Sequence, residues 1–399
     1  MVVLKLVIVF LVIIILMAKR RPLYEAILAG LILMTLLYKF SILDAGTYVV
    51  KVSTGWSAIS MLLAFYLIAF LQKILEARKQ LELAQKDLDG IFHNRRINTA
   101  GSAIFIGLLP AAAAMNLCSQ IVKDASDGYL NKKEQAFVTS WVRHIPESIL
   151  PTYSSVLLML GIAGIETSAY IIGMLIPVGF LLLLGYIAGL NKIPKDPGTP
   201  KSENKIKDAV NLVKHLWSLM LTVFLILVFK MEVCWSVLIV IFACIFIYRI
   251  KGKELKPMFA QAFERKLLLN TYMVLILKEF ISHTGALEVL PDMVQKLPLP
   301  TYMVFGILFF VITFISGSSG AIAVGAPLAF AAMPVTTPLV VFLMSVVHAS
   351  SQMGLTHPCI MVAAEYYDIT LGDMIKKTVP YALAFCVMVA VYYNVWMLF

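Results

Sequence analysis

Charge is scarce in this chain. Asp, Glu, Lys and Arg make up only 14% of its 399 residues, while 60% are hydrophobic. A soluble domain carries about a quarter charged and about half apolar residues. One globule cannot hide that much apolar surface from water, which excludes an ordinary soluble enzyme and points to an all-α integral membrane protein. Cysteine is sparse too. Cys118, Cys234, Cys244, Cys359 and Cys386 form no CxxC pair and no His/Cys cluster along the chain. They read as packing residues, and neither a disulfide framework nor a metal site is expected. HExxH, GxSxG, paired aspartates and a Walker motif are also missing, so the expectation is no enzyme and no direct drive by ATP. The basic group "KRR" at 19–21 follows the first apolar run instead of preceding it, and no small-residue cleavage site is visible. That run is expected to stay as a span with its start outside.

What is present is long apolar runs. About 20 residues cross a bilayer core of roughly 30 Å. On that template about ten transmembrane helices are expected, at 2–18, 22–40, 56–75, 134–161, 168–190, 209–229, 232–249, 267–284, 337–364 and 378–398. Two further apolar stretches, 98–122 and 302–333, are each broken near the middle and read as re-entrant hairpins that return to the side they entered. With both termini outside, 25 of the 33 Lys and Arg residues fall on the cytoplasmic side, as the positive-inside rule requires. The formal charge of +10 is then largely topology. It predicts contact with the lipid bilayer and no nucleic-acid partner.

The polar stretch "NKIPKDPGTPKSENKIK" from Asn191 divides the chain almost in half. Residues 1–190 are expected to form a first repeat, 191–208 a cytoplasmic linker, and 209–399 a second repeat. The order of elements is the same in both halves. Each holds five crossings, an odd number, so the halves are expected to be inverted, a recurring plan of secondary transporters.

The breaks carry the chemistry. In "FISGSSGAIAVG", Ser316, Gly317, Ser318, Ser319 and Gly320 interrupt an apolar stretch without a single charge. Backbone groups there must be buried in protein or line a wet cavity. The following helix would aim free N–H groups and its positive dipole end at whatever sits at the tip. The first half offers "GLLPAAAAMNLCSQ", with Pro110 breaking the helix and Asn116 and Ser119 supplying polar groups; a plain proline kink on a small-residue packing face is the alternative. Two proline-broken spans complete the pattern: "WVRHIPESILPTYSS" and "VVHASSQMGLTHPCI". Arg143, His144, Glu147 and His357 are ionisable groups beside these breaks, and Ser351, Gln352 and Thr356 are polar neighbours. Ionisable groups inside a membrane are functional candidates by default. Arg143 suits a carboxylate and Glu147 a transported proton. An Arg143–Glu147 pair that neutralises itself is the competing expectation. Lys278, Glu279, His283, Lys73 and Glu76 are expected to snorkel or to pair within the scaffold.

With those motifs in hand, the chain resembles the ion transporter superfamily, which includes divalent-anion/sodium symporters, arsenite permeases and gluconate permeases. More narrowly, "RHIPESILPTY", "SGSSGAIAVGAPL" and "GLTHPC" are similar to stretches of a prokaryotic membrane family, domain of unknown function 401. The resemblance implies a secondary active transporter of a small anion, with carboxylate the favoured class. It implies elevator-type alternating access, usually in a homodimer, in the prokaryotic cell (inner) membrane. By the same resemblance Asn116 and Ser119 line one side of the site and Ser316 to Ser319 the other. The sodium/dicarboxylate branch carries Ser-Asn-Thr at both tips, where this chain has "AAAAMN" and "SGSSG"; the coupling ion stays open between Na+ and H+. No resident cofactor is expected. The competing classes are an intramembrane lipid-processing enzyme and a non-transporting membrane scaffold.

Overall fold

A peptide group in a bilayer core has no water to bond, so an apolar chain satisfies its backbone within each segment, as helices. The computed structural model describes residues 2–19, 21–108, 113–196, 204–285, 289, 292, 296, 298–354 and 357–398. Among them lie α1 (Val2–Ala18), α2 (Leu23–Tyr38), α3 (Ile42–Thr54), α4 (Trp56–Ala77), α5 (Gln80–Ile91), α6 (Arg95–Gly107), α7 (Ala113–Ser126), α8 (Lys132–Arg143), α9 (Ile145–Ile149) and α10 (Ser154–Ala163). They continue as α11 (Thr167–Ala188), α12 (Lys205–Val228), α13 (Val233–Ile247), α14 (Gly252–Gln261), α15 (Arg265–Ser282), α16 (Thr301–Ser316), α17 (Ser318–Ala332), α18 (Thr337–Ser351), α19 (Pro358–Tyr366) and α20 (Leu371–Trp396). No strand occurs among the described residues. Five runs are long and apolar enough to cross a membrane: Trp56–Ala77, Lys132–Ala163, Thr167–Ala188, Lys205–Val228 and Leu371–Trp396. The second of these is apolar as a whole but interrupted twice, between α8, α9 and α10. Side chains such as Phe246 (85% exposed) and Leu36 (70%) face outward. Apolar residues thus clothe the outside as well as the core, as lipid demands and water forbids.

Two groups of helices result. In one, α1 lies on α2, α2 on α15, and α4 on both α13 and α15, while α12 runs along α5 and α13. In the other, α16 and α17 form a helical hairpin against α18, and α11 touches α8, α18 and α20. Trp141, Phe137, Tyr170, Phe309 and Phe385 are fully buried in this second group. Trp141 satisfies its indole N–H on the Leu181 carbonyl at 2.9 Å. The two groups meet where α10 packs on α4 and α15, and where α1 reaches α16 and α17.

Among the described residues, α3, α5 and α14 lie outside both the expected crossings and the expected hairpins. They are too short or too charged for a spanning template. α3 is fixed by a capping box, in which the Ser41 hydroxyl accepts from the Asp44 N–H and the Asp44 carboxylate accepts from the Ser41 N–H. α5 pairs its Asp87 with His215 on α12. The expected linker 191–208 is partly structured. The Arg95 N–H donates to the Lys195 carbonyl at 2.8 Å, and Ile193 is fully buried. α12 begins at Lys205 because the Asn204 side chain caps it, accepting from the Lys207 N–H at 2.9 Å.

Candidate functional site

Prolines set the two interruptions. α8 starts at the Asn131 cap and ends at Arg143, because Pro146, three residues on, has no N–H to continue the helical ladder. Pro146 restarts the chain in the first turn of α9; Leu150 is extended, and α10 begins after Tyr153. In the other half, α18 ends at Ser351 and α19 restarts at Pro358 in its first position.

The two interruptions meet. The His144 and His357 rings stand edge to face at 4.7 Å between centroids, with their Nε2 atoms 3.0 Å apart. His144 Nδ1 lies 2.6 Å from the Ser140 carbonyl, which can only accept. The Nδ1 therefore carries the proton, and Nε2 presents a lone pair. Arg143 NH1 lies 3.3 Å from that lone pair and 3.6 Å from Cys359 Sγ. Its distance to Glu147 Oε1 is 3.9 Å, a loose pairing, because the helix break falls between the two residues. One turn back along α8, Thr139 Oγ1 lies 2.8 Å from the Tyr367 hydroxyl, which donates to the Ser119 carbonyl at 2.7 Å. One donation uses the only Tyr367 proton, so Thr139 donates to it.

A gap that brackets this contact opens on the hairpin tip. A cavity of about 10 Å³ is lined by Glu147, Ser148 and Ser155 from one interrupted run, His348 and Ser351 from the other, and Ser318 at the tip, with Met344 and Val347 as apolar walls. That is room for about one water. Ser318 is the first residue of α17, so the free N–H groups of that helix start at the cavity wall. The turn before it needs glycine: Gly317 has φ 81 and ψ 171, a region that essentially only glycine occupies. Ser316 Oγ and Thr313 Oγ1 are buried, with no hydrogen-bond partner among the described residues. A larger apolar groove of about 650 Å³ runs along α12 past Leu108 and Leu150. Its lining offers no charged group, so the smaller polar cavity is the candidate for recognition.

The expected site residues are distributed as follows. Arg143, His144, Glu147, Ser318, Ser351 and His357 lie at the cavity or at the contact beside it. Ser316 and Gly317 form the turn into α17, whose first turn also holds Ser319 and the buried Gly320. A Cβ at Gly320 would stand 2.2 Å from Met17 Cε of α1. Gln352 is buried, and its amide nitrogen lies 3.2 Å from His348 Nε2. Ser119 is buried behind Tyr367, whereas Asn116 on the same helix is exposed. Thr356 and Pro110 lie outside the described residues. Four groups were missed. His348 shares a helix face with Ser351 and Gln352, three and four positions on, a signal available in the sequence. Ser148, Ser155 and Cys359 gave none, because only the fold brings them here. Lys278 donates to the Ile162 carbonyl at 2.8 Å near the end of α10. Glu279 receives Lys51 at 2.6 Å and His283 at 3.0 Å, and Lys73 reaches Glu76 at 2.9 Å. All of these stand apart from the cavity.

Residues 2–396, nearly the whole chain, match the model of a family described as protein of unknown function (DUF401). No curated protein matches the chain.

Proposed function

The chain belongs to the DUF401 family, and on that premise we propose that it is a secondary active transporter of a small anion, with a carboxylate as the favoured class. The observation that carries this reading is a polar cavity lined by both interrupted runs and the hairpin tip. Discontinuous helices facing one another are how transporters bring backbone dipoles and freed carbonyls to a solute within the membrane. The cavity holds about one water as it stands; widened to admit a carboxylate, it would offer the N–H groups of α17, the Ser318 hydroxyl and, beyond Glu147, the Arg143 guanidinium. Glu147 or a neighbouring histidine would carry a coupling proton; Na+ is the alternative coupling ion.

Two features support an inverted repeat with re-entrant hairpins. The arms α16 and α17 are joined by Gly317 alone and pack against each other, so the chain doubles back at the turn. Neighbour relations also come in pairs across the halves. α2 on α15 corresponds to α13 on α4, α6 on α8 to α16 on α18, α11 on α18 to α20 on α8, and α10 on α17 to α19 on α7. On this plan the chain makes ten crossings in the prokaryotic inner membrane with both termini outside. The second helix group moves as an elevator against the first, within a homodimer.

The test begins with a thermal-shift screen of purified protein against carboxylates, oxyanions and amino acids, with and without sodium. A ligand at about 100 times its Kd stabilises the folded state by about 2.7 kcal/mol. The strongest hit is then followed by counterflow in proteoliposomes. Ser318→Leu fills the cavity and is expected to abolish counterflow while the protein stays folded. Unchanged flux in that variant removes the tip from the site, and no ligand across all three classes rejects the anion reading.

A further inference from the structure

We propose that His144, His357 and Cys359 form a binding site for a thiophilic metal cation, Zn2+ in the first instance, where the two interrupted runs cross. One donor atom from each residue lies within 4.8 Å of the others. The two histidines are 213 positions apart in the chain, so the site exists only in the fold. Tetrahedral zinc with Zn–N near 2.05 Å and Zn–S near 2.3 Å sets two imidazole nitrogens about 3.3 Å apart, and nitrogen and sulfur about 3.6 Å apart. The Nε2 atoms at 3.0 Å need only a slight opening of the rings to admit the ion.

His144 is already held the way a metal-bound imidazole is held. Its Nδ1–H donates to the Ser140 carbonyl at 2.6 Å, which fixes the tautomer and turns the Nε2 lone pair toward His357. His357 and Cys359 flank Pro358, the first residue of α19, so two donors leave a stiff segment whose middle φ is locked. A thiolate with two imidazoles selects zinc or Cu+ over Mg2+ and Ca2+, which want oxygen. Glu147 Oε1, 3.8 Å from His144 Nε2, stands beside the remaining coordination position. Its negative charge and that of the thiolate offset the ion beside Arg143. Binding displaces the thiol proton to solvent and leaves the imidazoles neutral. The competing occupant of the same space is the Arg143 guanidinium, whose NH1 lies 3.3 Å from His144 Nε2 and 3.6 Å from Cys359 Sγ and must turn aside to admit the ion.

This inference does not depend on transport, and its test uses no transport assay. The full-length protein, purified in detergent and stripped with a chelator under reducing conditions, is titrated with Zn2+ and separately with Co2+. The expected result is one ion per chain, with Co2+ giving a near-ultraviolet thiolate-to-metal charge-transfer band and Mg2+ not competing. Cys359→Ser is expected to remove the band and to weaken Zn2+ by more than the ~10–100-fold that loss of an outer-shell partner costs. His357→Gln should weaken it similarly, and Cys386→Ala should change nothing. No stoichiometric uptake by the wild type, a Co2+ adduct without the thiolate band, or full affinity in folded Cys359→Ser overturns the proposal. The wild-type spectrum decides the matter even where a variant fails to fold.

Discussion

Replacing Gly107 by alanine adds one carbon at a place where nothing can yield easily. That Cβ would stand 2.0 Å from the Arg143 carbonyl oxygen, 3.0 Å from its carbon and 3.3 Å from Pro146 Cδ. The first two are backbone atoms at the end of α8, so α6 and α8 must part by at least about 1 Å. Gly107 is also bound from the other side, since its carbonyl accepts the Tyr153 hydroxyl. Overpacking of this kind costs about 1–3 kcal/mol, while alanine for glycine returns up to about 1 kcal/mol of helix propensity. The net is a destabilisation of about 1–2 kcal/mol, together with displacement of the Arg143–His144 pair. Gly179→Ala is the matched control: its Cβ meets nothing within 4 Å in the middle of α11, so the same chemical change should stabilise by up to about 1 kcal/mol. Reversible unfolding in mixed micelles reads both. If Gly107→Ala proves as stable as the wild type and binds ligand or Zn2+ equally well, the close crossing of α6 and α8 is wrong.

Other expectations follow from the same coordinates. Gly317→Ala places a side chain in a glycine-only conformation at a cost of about 1–3 kcal/mol, and hydrogen exchange should show faster opening at the start of α17 with the distant α14 unaffected. Ser350→Ala removes the hydroxyl that donates to the Phe310 carbonyl at 2.6 Å between α18 and α16, for about 0.5–1.5 kcal/mol in the same unfolding assay. The Asp44 carboxyl is held below its ordinary value by the Ser41 hydroxyl, then by the Ser41 N–H. A depressed folded value means that this stabilisation is complete above the ordinary aspartate range and is lost as pH falls through the folded value. The protection of α3 amides, measured against the intrinsic exchange rate at each pH, should therefore fall in acid, and Ser41→Ala should flatten that dependence.

Five of the expected crossings were legible as long apolar helical runs, because a bilayer leaves few choices for a long uncharged stretch. Both proline breaks and the Ser/Gly turn were legible for a similar reason, since Pro146, Pro358 and Gly317 act through local backbone geometry. What sequence could not reveal is which breaks touch. His144 meets His357 because α19 packs directly on α8, with α7 beside both, and nothing near Cys359 announces a partner more than two hundred positions away. The expectation was that the cysteines only pack, and the proposed metal site would make Cys359 an exception. The amphipathic helices α3, α5 and α14 escaped a template built on uninterrupted apolarity. Asn116 was chosen by type, yet a polar residue at a helix kink can face either way, and here it faces outward.

The central claim is that Ser318 borders a solute cavity that opens to water from one side of the membrane at a time. Cysteine labelling tests it most directly, with Ser318→Cys in a chain whose five native cysteines are replaced by alanine. In native membranes a hydrophilic, membrane-impermeant thiol reagent should label that position, and a ligand found by thermal shift should slow the labelling. A position that stays inert from both faces while the unfolded protein labels fully would contradict the account.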